Sequence, residues 1–459
     1  MNKRLNKVVR NRLLTLLLFV TMMVTVVIPT WAQEVAIPHI SSWAIEDLNE
    51  GERYGIYPME WYYDDFKAQI SIDRLNTLIT NTSEKIAALE LDKNDEFIPI
   101  PHEENLTRED IIIRLYNILG QYQLPLEHSP VDYMQERNIL NGTGKGLELD
   151  KICTTEEAVV LATRLIEDTY NLVEAGSKGF AWKVEHNGNT IYFLGSIHIG
   201  NSQLYPINQK LKDSFYKSDA LIVEANLFEQ EGGIDYFIEK STYQDGTTLK
   251  DNVKQETYEK VIKVFEKLNI PEQSFIYFKP WSLANNLSVI SSTDSQNIEA
   301  GSQAANLGID MYFLSKAILD QKPIIELEGI RYQADLFDGL STEFQENYLN
   351  MVLDSILEPP TNETQSSTNY LETWLNQWKN GNVEEFTDSY RAANTGTEDE
   401  FSSMLFGQRD KDMADKIIEI LESNKKGTYF LVVGAGHFVE ENTIIHQLKE
   451  KGYNVEIYK

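Results

Sequence analysis

Three short apolar runs organise this chain, and each ends at a residue able to do chemistry. Residues 191–194 (Ile-Tyr-Phe-Leu) lead into Gly195-Ser196-Ile197-His198. Residues 429–433 (Tyr-Phe-Leu-Val-Val) lead into Gly434-Ala435-Gly436-His437. Between them, residues 220–223 (Ala-Leu-Ile-Val) lead into Glu224. Continuous apolar runs of this length, rich in β-formers, read as buried strands. A hairpin is expected over 181–194, because Asn187-Gly188 is a strong turn signal between two such segments. Shorter strands are expected at 323–327 and 454–458, with helices at 211–216, 249–268, 280–289, 310–319, 342–357, 413–421 and 442–451. Strands alternating with helices predict an α/β domain with a mainly parallel sheet flanked by helices. Residues 359–368 are rich in Pro, Thr and Ser and are expected to form a mobile loop.

Residues 36–175 carry a different pattern of short amphipathic helices and turns. Trp43, Ile45 and Leu48 open one helix, which Tyr54-Gly55-Ile56-Tyr57-Pro58 breaks. Ile72, Leu75, Leu78 and Ile79 share a face of a second. Thr107 caps a third, running to Leu119, with acids in its first turn. A short helix from Tyr133 to Leu140 closes at Asn141-Gly142, and Thr154-Thr155-Glu156-Glu157 caps a last one reaching Tyr170. An all-α domain is therefore expected at 36–175. Residues 176–180 (Gly-Ser-Lys-Gly-Phe) read as a linker, and the α/β domain as 181–459.

The first 32 residues change the picture of where the protein works. Lys3, Arg4, Lys7, Arg10 and Arg12 precede an apolar stretch over 13–28, and Pro29-Thr30-Trp31-Ala32 ends in a small residue. This is the order of a secretory signal peptide at 1–32. The formal charge of the whole chain is -30, and the signal holds basic side chains only. A mature chain still more acidic repels phosphates, which argues against nucleic acid as a partner. The single cysteine, Cys153, rules out an intramolecular disulfide and a Cys-based zinc site.

In parallel α/β sheets, ligands gather beyond the carboxyl ends of strands. His198, Glu224 and His437 all follow such ends. Two imidazoles and a carboxylate are a common set for a divalent metal ion, with Mn, Co or Zn possible, and leave room for water. Glu224 could ligate the metal or act as general base, and the spacing does not choose between them. Arg409 heads the apolar stripe of Met413, Ile417, Ile420 and Leu421. Such an arginine either snorkels to solvent or turns inward to hold a substrate carboxylate or stabilise an oxyanion. There is no Gly-x-Ser-x-Gly elbow, no His-Glu-x-x-His and no Rossmann fingerprint, which weakens serine-hydrolase, zincin and dehydrogenase readings.

Taken together, Gly195-x-x-His198, Glu224, Arg409 with Met413 and Gly434-x-x-His437 resemble the TraB/GumN group over residues 181–459. That group also contains the TIKI proteins, metal-dependent proteases that act on Wnt. Lys279-Pro280-Trp281, Gly308-Ile309-Asp310, and Leu327-Glu328 with Gln333 add to the resemblance. It implies a hydrolase site with His198, Glu224 and His437 on the metal and with Glu224 and Arg409 as catalytic residues. Glu328 and Gln333 either support the site or serve as a helix cap and an exposed amide. The N-terminal helices resemble S-layer homology (SLH) repeats, through Trp43-Ala44-Ile45, Gly55-Ile56-Tyr57-Pro58, Leu106-Thr107-Arg108-Glu109 and Asn138-Ile139-Leu140-Asn141-Gly142. That resemblance implies a grip on cell-wall polysaccharide.

The sequence therefore leads to a secreted, cell-wall-associated metal-dependent hydrolase of peptidase type, with a peptide or small molecule as substrate. The alternatives are a non-catalytic protein that sequesters a peptide or ligand, and a wall-anchored scaffold.

Overall fold

The computed structural model describes residues 38–458, apart from 104, 127, 143, 230, 359–366 and 395–399. The expected signal peptide at 1–32 and most of the expected loop at 359–368 lie outside the described residues. The last two residues of that loop open the helix Ser367–Asn380. No described helix is long and apolar enough to cross a membrane. The chain divides into two units, the N-terminal one holding residues 32–177 and 202–209, and the C-terminal one holding 178–201 and 210–459.

The N-terminal unit is built around the helix Thr155–Leu172, which packs against Ile45–Arg53, Ile72–Ala87 and Arg108–Gly120. A helix placed among others needs apolar positions around most of its circumference. Val159, Val160, Leu161, Leu165 and Ile166 are accordingly all buried. Its start is fixed by a reciprocal cap: the Glu157 amide donates to Thr154 Oγ1 (3.3 Å), and the Thr154 amide donates to Glu157 Oε2 (3.0 Å). Two expectations shift in detail. Ile72 is exposed, and the buried face of its helix is Leu75, Leu78, Thr82 and Ile86. The expected 133–140 helix is Pro130–Glu136, because Ser129 caps it early and Asn138 takes a positive φ of 59°.

The C-terminal unit holds six strands: β1 (Phe180–His186), β2 (Asn189–Ser196), β3 (Ala220–Val223), β4 (Ile324–Glu326), β5 (Thr428–Gly434) and β6 (Val455–Ile457). Their order is β4-β3-β5-β2-β1-β6. The β4–β3, β3–β5 and β5–β2 pairs are parallel, while β1 runs antiparallel to both β2 and β6. The expected mainly parallel sheet is thus a mixed one, in a unit that is mostly helical. Local turn chemistry is the reason. Asn187 and Gly188 both take positive φ, 50° and 80°. A two-residue turn of that kind can only join antiparallel strands.

The three central strands bring the candidate residues to one place. β5 lies between β3 and β2, with Val432 opposite both Val223 and Leu194, and Gly434 opposite Ser196. The residues after β2, β3 and β5 therefore leave the sheet at one edge. Crowding there requires a small residue: a Cβ on Gly195 would lie 3.1 Å from the Ala435 Cα and Cβ.

Replacing Thr154 with Ala removes one half of the reciprocal cap. It is expected to lower stability by about 1 kcal/mol, read from the urea midpoint of the N-terminal unit's transition.

Candidate active site

The carboxylate of Glu224 has no exposure to solvent. The Gly434 amide donates to its Oε1 (2.8 Å). Arg409 Nη2 donates to its Oε2 (2.6 Å), and the Gln333 side-chain amide reaches the same oxygen at 3.3 Å. Burial pushes such a carboxyl up, but Arg409, the His437 and His198 imidazoles and the Gly434 amide together hold it below its ordinary value. Arg409 in turn is shared. Its Nε donates to Glu328 Oε1 (2.5 Å) and its Nη2 also to Glu328 Oε2 (2.7 Å).

The two strand-end histidines are built alike. The Nδ1 of His198 lies 2.7 Å from Asp310 Oδ2, and the Nδ1 of His437 lies 2.9 Å from Asp410 Oδ1. An ionised carboxylate only accepts, so each Nδ1 carries a proton, and in the neutral ring Nε2 then offers a lone pair. Both Nε2 atoms are buried and have no hydrogen-bond partner among the described residues. His437 is wholly buried, with the Phe406 ring 5.5 Å away, and His198 is 8% exposed. Burial disfavours the His198 imidazolium, but Asp310 and then Glu224 outweigh it and raise the pKa.

Asp310 is placed by the helix Ile309–Leu319, which starts against the end of β2. The Ile309 amide donates to the Ile197 carbonyl (3.0 Å), and Ser196 Oγ donates to Asp310 Oδ1 (2.7 Å). Gly308 makes this possible, since a Cβ there would stand 2.3 Å from the His198 carbonyl oxygen. Asp410 comes from the helix Gln408–Glu422. It follows Arg409 directly, and both side chains are buried at that helix start.

The sequence-predicted residues Glu224 and Arg409 are thus in direct contact, and the His198 and His437 imidazoles are close enough to act electrostatically on Glu224. Arg409 does not snorkel to solvent. Gln333 is buried rather than an exposed amide, and Glu328 is an ion-pair partner rather than a cap. Asp410 was not singled out by sequence, although it lies three, four, seven and eleven positions before Met413, Ala414, Ile417 and Leu421. That spacing puts it on the core face.

Among the described residues, no three His, Cys, Asp or Glu side chains converge as a set ready to hold a metal ion. The donor chemistry nevertheless fits one in part. Two buried imidazole nitrogens lack partners, and each ring is oriented by a carboxylate on its far nitrogen, the arrangement that metal-binding histidines adopt. Glu224 is engaged by Arg409.

The N-terminal unit holds a cavity of about 560 Å³ lined by Trp43, Arg108, Asn141, Gly142, Lys151 and Glu157, among others. Arg108 is buried, donating from Nη1 to Glu157 (2.9 Å) and from Nε to the Leu147 carbonyl (3.0 Å).

A mixed α/β unit with paired Gly-x-x-His strand ends, joined by a buried Glu–Arg pair, defines a class of protein. Residues 180–457, more than half of the chain, match the TraB/PrgY/gumN family, and the chain belongs to that family. It is similar to Uncharacterized protein YbaP of Escherichia coli (strain K12), 23% identical over 258 residues, covering 56% of this chain and 87% of that protein. Over 56 residues it is 41% identical to Metalloprotease TIKI2 of Xenopus tropicalis, covering 12% of this chain and 11% of that protein. A Metalloprotease TIKI homolog of Amphimedon queenslandica is 40% identical over 53 residues, covering 12% of this chain and 10% of that protein. No solved structure matches the chain.

Gly308→Ala forces a Cβ against the His198 carbonyl. It is expected to cost about 1–3 kcal/mol, as overpacking does, measured by denaturant unfolding of the C-terminal unit.

Proposed function

We propose that this chain is an exported, cell-wall-associated metal-dependent hydrolase that cleaves peptides. The observation that carries the reading is the pair of buried imidazoles, each with Nδ1 held by a carboxylate and Nε2 without a partner. Charge supports it. Glu224, Asp310 and Asp410 are buried, the Glu328 side chain is only 4% exposed, and among the described residues Arg409 is the one guanidinium that pairs with any of them. A cluster so rich in carboxylates favours a further cation.

His198 and His437 would hold a divalent ion through Nε2, with Glu224 as the carboxylate ligand. A bound ion of this kind polarises a carbonyl and acidifies water. Asp310 and Asp410 keep the imidazoles in the tautomer that offers Nε2. Glu224, held ionised below the ordinary carboxylate range, makes a weak base and a good ligand. Arg409 Nη1, which neither Glu224 nor Glu328 takes, is the donor for a substrate carboxylate or a developing oxyanion. The short, high-identity match to proteins named metalloproteases supports the peptidase assignment.

In the N-terminal unit we assign wall polysaccharide to the cavity between Trp43 and Arg108, on its SLH-like residues. An exposed Trp and a buried Arg are suited to a sugar face and an acidic substituent.

A second reading, a protein that sequesters a ligand without turnover, is favoured by the complete burial of His437 and Glu224.

Three outcomes are expected. Purified protein takes up Mn, Co or Zn stoichiometrically by elemental analysis, and His198→Ala with His437→Ala abolishes uptake and the cleavage of a peptide library read by mass spectrometry. Metal-free wild-type protein with undiminished activity would sink the metal reading, and binding without cleavage under every metal would favour sequestration. Asp410→Ala weakens zinc affinity about 10–100-fold in calorimetry, the usual cost of losing a residue that orients a ligand. Arg108→Ala in the full chain lowers its retention on purified cell walls in a sedimentation assay, and unchanged retention would remove the wall-binding role.

A further inference from the structure

The Glu224 carboxylate is already neutralised. Arg409 Nη2 sits 2.6 Å from its Oε2, and the pair is closed to solvent, with side-chain exposures of 3% and 0%. A divalent ion at the two free imidazole nitrogens that also used Glu224 would bring a second cation to the same carboxylate. Two cations on one buried carboxylate repel each other in a medium of low dielectric constant. One of them must move.

The ion-pair geometry shows which can move cheaply. Arg409 grips Glu328 at two points, Nε to Oε1 (2.5 Å) and Nη2 to Oε2 (2.7 Å), but touches Glu224 only through Nη2, which it shares. The two-point grip is the stronger. Loss of the Glu224 contact therefore leaves Arg409 fully paired, with no uncompensated buried charge. Gln333 Nε2 reaches Glu224 Oε2 and Glu328 Oε2 at 3.3 Å each, so it can follow either carboxylate.

We propose that Arg409 is the resident counter-ion of Glu224, that an incoming divalent ion displaces it, and that Glu328 is the positioning residue that receives the guanidinium. This rests on the metal reading above. Glu328 then sets how readily the site loads. Without it, Glu224 is the one carboxylate among the described residues in direct ion-pair contact with Arg409, and a metal ion would have to take that contact away from a buried guanidinium.

The test is a double-mutant cycle read by calorimetric titration of the metal-stripped full chain with zinc ion alone. Glu328→Gln is expected to weaken zinc affinity about tenfold, within the range for residues acting through a ligand. In an Arg409→Met background the same change is expected to have an effect below about twofold, because the competitor is gone and the two sites no longer couple. Arg409→Met alone is expected to enlarge the rise in melting temperature on zinc addition, since the ion then supplies the missing charge. If Arg409→Met does not fold, Arg409→Lys, a cation without the fork, takes its place, with Glu328→Gln still costing less than in the wild type. Equal weakening by Glu328→Gln in both backgrounds would mean that Glu328 acts through its charge alone, and it would overturn the exchange while leaving the metal reading intact. A wild-type chain that takes up no zinc, manganese or cobalt would overturn both.

Discussion

A carboxylate removed from water stays ionised only if its surroundings replace what water gave it. Glu224 has no exposure, and the elements around it are arranged to meet that demand. β5 aims the Gly434 amide at one oxygen, and the helix Gln408–Glu422 aims a guanidinium at the other. The segment after β4 turns back at Gly329, whose φ of 94° suits glycine, so that the Glu328 and Gly329 amides bond to the Glu224 carbonyl. That same turn brings Glu328 to Arg409. Backbone and side chain of one residue thus tie β3, β4, β5 and a distant helix together.

The histidines obey a parallel requirement at their Nδ1 atoms. In each case the partner is an aspartate in the first turn of a helix that begins near the site, Asp310 after Gly308 and Asp410 after Gly407. Early helical positions favour a carboxylate through the unpaired amides and the helix dipole. One local preference therefore supplies both orienting groups, from two helices about a hundred positions apart.

The strand ends were legible in the sequence because a buried parallel strand is a continuous apolar run, and the residues just past its end must leave the sheet at a common edge. His198, Glu224 and His437 could be picked out on that ground. Asp410 could not, because Arg-Asp-Lys-Asp looks like a solvated charge run until its register with Met413 and Ile417 is weighed. The partner of an imidazole is a tertiary fact, and Gly308-Ile309-Asp310 stood out only as a family feature. The hairpin announced itself through Asn-Gly, but no local signal told that β1 would also pair with β6, which makes the sheet mixed. The helices over 367–405 went unread, since their buried Trp374, Trp378 and Phe386 are spaced among many polar residues.

The middle of the sheet joins the second strand of the domain to the second last, with Ile191 beside Tyr429. A ribosome making this chain releases β2, β3 and β4 long before β5 exists. Until then the second imidazole, its aspartate and the arginine are either unmade or unplaced. The candidate site is therefore incomplete throughout synthesis, and it is assembled only when the tail folds in. Chain order itself decides when the two histidines meet.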